Sequence, residues 1–157
     1  MKLSFDLNRV NRLNLYEIER DLIPKEKGLY AYYQKNNGVI EYIGSATGQN
    51  GLRGRVWGQH LNPKYLEPRT EKFTKIDQKQ VEKATIHNGK IVIEKSAFRK
   101  NLARKHNLAP GFECLEFLKD NFLISIIPLT NRTKGEIRAM EKYLIKVTSP
   151  KYNLKFK

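Results

Sequence analysis

Gly28-Leu29-Tyr30-Ala31-Tyr32-Tyr33-Gln34-Lys35-Asn36-Asn37-Gly38-Val39-Ile40-Glu41-Tyr42-Ile43-Gly44 is the stretch on which the fold turns. Two aromatic and β-branched runs flank a polar segment that ends in Asn-Gly, which predicts a β-hairpin. Its register decides which side chains share a face, because they alternate along a strand. A two-residue Asn37-Gly38 turn pairs positions that sum to 75 and puts Tyr30 and Tyr42 on opposite faces. A three-residue Asn36-Asn37-Gly38 loop, with Gly38 left-handed, pairs positions that sum to 74. Tyr32 then lies opposite Tyr42, with Tyr30 on the same side. Three phenol hydroxyls are costly to bury without partners, so such a face is either a wet functional surface or a set of ordinary half-buried strand aromatics.

Working outward, residues 7–21 mix Leu, Val, Ile and Tyr and stop before Pro24, which predicts one or two short helices. After the Ser45–Gly51 loop, Leu52–Leu61 reads as a helix despite Gly54 and Gly58. Residues 62–112 start at Asn62-Pro63, end at Pro110-Gly111 and hold their own hairpin signal. There, 84–87 and 90–93 flank Asn88-Gly89, and Ser96 caps a helix over Ala97–His106. Glu113–Asp120 reads as a short helix, and Phe122–Ile127 as a buried strand stopped by Pro128. Thr133 and Glu136 form a capping box at the start of a last helix that Ser149-Pro150 closes. The expected fold class is α/β (α+β). A small central antiparallel three-stranded sheet is flanked by helices, with an inserted β-hairpin plus helix, in one domain over 1–157.

The 30 Lys+Arg against 16 Asp+Glu give a net charge of +14, a field that attracts polyanions, nucleic acid first among them. The insertion at 62–112 carries 12 basic and 5 acidic residues, or +7, about half of that charge. Within it Arg99, Lys100, Arg104 and Lys105 are expected on the polar face of the 97–106 helix, as contacts to a DNA backbone. No apolar run approaches a membrane span, and no signal peptide is visible. The single cysteine, Cys114, excludes an internal disulfide and a Cys-based zinc site. A cytoplasmic protein fits.

Glu141 shares a helical face with Ile137 and Ile145, four residues to either side. A carboxylate on an apolar stripe must be paired, as in a buried salt bridge to arginine, or bound to a metal. Arg55 offers a planar fork of donors that matches a phosphate. Arg53 points elsewhere on the same helix, to solvent or to a DNA backbone.

Gly28-Leu29-Tyr30 followed by Tyr42-Ile43-Gly44 resembles the paired signature of the GIY-YIG nuclease superfamily. The resemblance extends to Leu52-Arg53-Gly54-Arg55, where Arg55 takes the place of the family's helix arginine, to Glu141 ahead of Tyr143-Leu144-Ile145, and to Tyr152-Asn153. It departs from the family where a His or Tyr four residues after the arginine is usual: Gln59 stands there and His60 comes next. The long stretch between His60 and Phe122 is also absent from the smallest members. The resemblance implies a metal-dependent endonuclease that hydrolyses double-stranded DNA to a 5′-phosphate and a 3′-hydroxyl. Glu141 would hold Mg²⁺ or Mn²⁺, and Tyr30 would act as general base or position water. Arg55 would stabilise the phosphate, Tyr42 and His60 would orient water or phosphate, and Asn153 would support the site. Recognition built into an insertion, with the chain ending four residues after Asn153, points to a restriction-type member. The alternatives are a non-catalytic nucleic-acid-binding module and a structure-specific repair or recombination nuclease. Cutting both strands with one site per chain calls for a homodimer or two sequential nicks.

Overall fold

The computed structural model describes residues 2–68, 77–78, 82–83 and 92–153. In chain order its strands are β1 (Leu13–Asn14), β2 (Gly28–Gln34), β3 (Ile40–Ala46), β4 (Leu66–Pro68), β5 (Val92–Glu94) and β6 (Phe122–Pro128). Its longer helices are α1 (Arg53–His60), α2 (Ala97–His106), α3 (Phe112–Asn121) and α4 (Lys134–Thr148). The chain forms two compact units, Met1–Trp57 with Asn121–Lys157, and Gly58–Asp120.

The first unit is built on an antiparallel sheet of order β1-β6-β2-β3. The hairpin forms with Tyr32 opposite Tyr42 and Tyr30 opposite Gly44, the register that sums to 74. Gly38 is left-handed at φ 71°, as the longer loop requires. Nearer the turn the register slips, Tyr33 pairing with Ile40, so Glu41 is the extra residue of a β-bulge.

The odd positions of β2, Leu29, Ala31 and Tyr33, join Ile43, Ile127 and the α4 residues Ile137, Met140 and Leu144 in one apolar core. The even positions carry the tyrosines on the other face. α4 opens with the expected capping box, the Thr133 side chain accepting from the Glu136 amide at 3.1 Å and the Glu136 carboxylate from the Thr133 amide at 3.2 Å.

The sheet has four strands rather than the expected three, because residues 7–21 are not helical. Leu13–Asn14 pairs with β6, and a 3₁₀ turn covers Arg20–Leu22. The competition was local: the side chains of Asp6 and Asn14 accept from the amides of Asn8 and Tyr16, two residues on. Such Asx turns take backbone donors that a helix needs. Leu7, Leu15, Ile18 and Ile23 are buried all the same.

In the second unit β4 and β5 pair antiparallel, Glu67 opposite Ile93. Ser96 caps α2, its hydroxyl accepting from the Arg99 amide. The Asn88-Gly89 turn and the strand expected at 84–87 lie outside the described residues. The helix expected over Leu52–Leu61 is wound as a π-helix from Arg53 to His60. Hydrogen bonds then run to the fifth residue rather than the fourth.

Candidate active site

The site in the first unit begins with two glycines that leave room for a phenol and a strand. A Cβ on Gly44 would lie 2.3 Å from the Tyr30 ring carbon that bears the hydroxyl, so the glycine of the second tripeptide is the floor on which Tyr30 rests. A Cβ on Gly28 would lie 2.1 Å from the Ile127 carbonyl oxygen, so the first glycine lets β2 approach β6. On this floor Tyr30, Tyr32 and Tyr42 form a triangle with ring centroids 6.0, 6.3 and 6.4 Å apart. The edge-on contact of Tyr30 and Tyr32, at 86°, is a favoured aromatic geometry. Tyr30 and Tyr32 are 1% and 0% exposed. Tyr32 completes the cluster, and the register that sums to 74 was the signal that placed it there.

Arg55 shares a side-chain hydrogen bond with the Tyr30 hydroxyl, and Tyr30 shares another with Tyr42. The chain Arg55–Tyr30–Tyr42 thus runs from an exposed cation through a buried phenol to a half-buried one. Burial pushes the Tyr30 hydroxyl well above the usual phenol range, reinforced by Tyr42, while the Arg55 charge pulls the other way and loses. Tyr42 is pushed up to about 12, mainly by burial and further by the negative charge of Glu141, with Arg55 opposing. At neutral pH both phenols in this environment are protonated donors.

Glu141 lies on α4, half-exposed, close enough to Tyr42 for its charge to act there. Ile137 and Ile145 flank it as expected, the first fully buried and the second packed against the core. No Arg or Lys among the described residues lies within 4 Å of its carboxylate, so the salt bridge that would account for it is absent there. Asn153 closes the site's outer edge. β3 is the edge strand, and the Asn153 amide both donates to the Ile43 carbonyl (2.7 Å) and accepts from the Ile43 amide (2.8 Å). One side chain thereby replaces a missing strand beside Tyr42, and the Tyr152 amide does the same for the bulged Glu41 carbonyl (2.9 Å).

Other residues singled out in the sequence are differently placed. Arg53 donates from Nε to the Ile23 carbonyl at 2.8 Å, which docks the start of α1 on the preceding loop. His60 is buried in the second unit, its Nδ1 2.7 Å from the Ser96 hydroxyl and its ring against Phe98.

The basic helix α2 needs correction. Arg99 is 0% exposed, 2.7 Å from the equally buried Glu94 carboxylate, and donates to the carbonyls of Gln59, His60 and Asn62 where α1 ends. Arg104 makes a two-pronged pair with Asp77 at 2.7 and 2.9 Å, and Lys100 lies 3.6 Å from Glu67. Of the four residues expected to face DNA, Lys105 is the exposed one. Helical spacing put all four on a polar face, but α2 is packed on that side too, and the guanidinium groups found acids within the unit.

No protein-family model matches the chain, and no curated protein sequence matches it. Among solved structures the chain is similar to the GIY-YIG N-terminal endonuclease domain of UvrC from Thermotoga maritima, a point mutant bound to its catalytic divalent cation, at 23% identity over 85% of this chain and 89% of that one, with a TM-score of 0.39.

Proposed function

We propose that the chain is a divalent-metal-dependent endonuclease of the GIY-YIG type acting on DNA. The observation that carries this reading is the convergence of an arginine-to-phenol-to-phenol chain with a carboxylate whose charge acts on Tyr42 and that has no ion-pair partner among the described residues. A protein that only bound DNA would have no use for such a carboxylate next to a phosphate.

The donor set fits a hard, hydrated cation. No group of three or more His, Cys, Asp or Glu side chains that could cage a metal is found among the described residues. A lone carboxylate suits Mg²⁺ or Mn²⁺, which keep several waters and take phosphate oxygens as further ligands. Glu141 is the residue that would hold it. When bound, it supplies Lewis-acid polarisation of the phosphate.

The chain's own residues do the rest. Arg55 presents its fork to the non-bridging phosphate oxygens and stabilises the charge that grows there as water adds to phosphorus and the bond to the 3′ oxygen breaks. The 3′ oxygen leaves as a hydroxyl and the phosphate stays on the 5′ side. Tyr30 and Tyr42, both protonated, the first buried and the second half-buried, are hydrogen-bond donors that orient the attacking water and the phosphate. Tyr30 can accept a proton only as its phenolate, which needs more positive charge than Arg55 alone provides. Asn153 holds Ile43, and so the neighbouring Tyr42, in register. His60 is given no step, since Ser96 and Phe98 account for its placement. Within this class we favour a restriction-type role over structure-specific repair or recombination, because the second unit supplies the extra surface on which site recognition could be built.

The test is incubation of the purified protein with plasmid DNA in the presence and absence of Mg²⁺. Metal-dependent cleavage is expected, with discrete fragments for a restriction-type enzyme. Glu141→Gln should abolish cleavage while leaving DNA binding in place. Undiminished turnover by that variant, or no cleavage by the parent with Mg²⁺ or Mn²⁺, would overturn the reading.

A further inference from the structure

Lys134, Arg138, Lys142 and Lys146 recur at intervals of four along α4, and all four are exposed. Residues so spaced form one ridge along a helix. Like charges at that spacing oppose helix formation, and Lys134 in the first turn also opposes the helix dipole. Few acids on the helix relieve this. Its two acids are Glu136, used by the capping box and by Arg132 at 3.2 Å, and Glu141, which has no cation within 4 Å among the described residues. Arg138 donates to the Thr47 hydroxyl at 3.4 Å, which ties it to the loop after β3. In α2, by contrast, Arg99, Lys100 and Arg104 each have an acid partner.

The ridge passes Glu141, which lies between Arg138 and Lys142 in sequence. At a rise of about 1.5 Å per residue it is about 18 Å long. Over that length one strand of duplex DNA presents about five phosphates.

We propose that the α4 ridge is the surface that holds the DNA backbone, with Lys134, Arg138, Lys142 and Lys146 on successive phosphates leading to the Glu141 site. The inference rests on the nuclease reading above and goes beyond it by assigning strand-holding to α4 rather than to the basic helix α2. Phosphate contacts of this kind position a duplex without reading its sequence, so recognition of bases falls to other parts of the chain.

The experiment compares log affinity against log salt for a short duplex binding to three proteins: the parent, Lys134, Lys142 and Lys146 changed together to Ala, and the same three changed to Arg. Each lost phosphate contact flattens the slope by about 0.9, so the alanine variant should be less steep by about 2 to 3, and the arginine variant should match the parent. Changing the exposed Lys64, Lys95 and Lys105 of the second unit to Ala removes the same charge and should flatten the slope by less than half as much. Melting temperatures without DNA, unchanged or raised in the α4 alanine variant, show that its fold is intact. An α4 slope parallel to the parent's, or equal flattening by the two alanine sets, would overturn the assignment while Mg²⁺-dependent cleavage by the parent kept the nuclease reading. A parent that neither binds nor cleaves duplex DNA would overturn both.

Discussion

Arg99 with Glu94 in the second unit, and Arg55 with Glu141 in the first, use the same two residue types to opposite ends. Arg99 and Glu94 are both fully buried, 2.7 Å apart, with Nη1 of Arg99 donating to backbone carbonyls and the Gly111 amide donating to Glu94. Even the Cys114 thiol is taken up, 3.3 Å from the Arg99 carbonyl. Arg55 is exposed and Glu141 half-exposed, and Glu141 has no ion pair among the described residues. A charge that satisfies its neighbours internally holds a fold together, while a carboxylate without an ion pair beside the phenols can meet a ligand's charge. The contrast can be broken from either side.

The largest effect is expected where the charges are buried. Removing one partner of a buried pair leaves the other uncompensated, at a cost of about 3–5 kcal/mol. Arg99→Met should therefore lower the stability of the protein by about that amount, seen as an early transition in urea. Glu141→Gln should stay within about 0.5 kcal/mol of the parent, as exposed substitutions do. If the two variants melt alike, the division between structural and functional charges fails.

A sharper version separates Arg55 from Arg53, two residues apart on one helix. Arg55→Ala removes the proposed phosphate stabiliser and should slow cleavage by about 10²–10³-fold, with little change in stability. Arg53→Ala removes the bond to the Ile23 carbonyl and should cost about 1 kcal/mol of stability with only a few-fold change in rate. Single-turnover rates at saturating DNA, set beside denaturation midpoints, decide it. A reversed order would mean that the helix presents its arginines the other way round.

What was legible in the sequence was what local chemistry determines. The hairpin of β2 and β3, the Ser96 cap and the Thr133 capping box each depend on residues a few positions apart, and all three are in the structure. Long-range pairing was not legible. β1 is two residues that carry no periodicity and are chosen by β6, more than a hundred positions away. The fate of Arg99 was settled by carbonyls about forty residues upstream, against a spacing that put it with solvent-facing neighbours. The π-winding of α1 is likewise something that no propensity scale reports. In the site, the glycine floor under Tyr30 makes physical sense of the second tripeptide, but only once the partner strand is in place.

The smallest effect is expected at alkaline pH, where Tyr30 and Tyr42 can be distinguished from ordinary tyrosines. Tyr42 is pushed up to about 12 and Tyr30 also lies well above the usual range, in both cases mainly by burial. A phenol whose folded pKa exceeds the unfolded value of about 10 contributes stability that is fully present below pH 10. That contribution declines as the unfolded chain ionises first, and it is lost as pH rises through the folded value. Thermal stability should therefore be insensitive to these groups from pH 7 to about 9.5 and should fall as pH rises from about 10 to 12. Tyr42→Phe has no proton to lose, so its decline over that window should be shallower than the parent's, while the same change at the exposed Tyr16 should leave the slope unaltered. Melting temperature against pH for the three proteins, read beside ultraviolet titration of phenolate, makes the comparison. Identical slopes for parent and Tyr42→Phe would mean that Tyr42 ionises as freely folded as unfolded, and its hydroxyl would then be solvated rather than held beside Tyr30 at the end of the Arg55 chain.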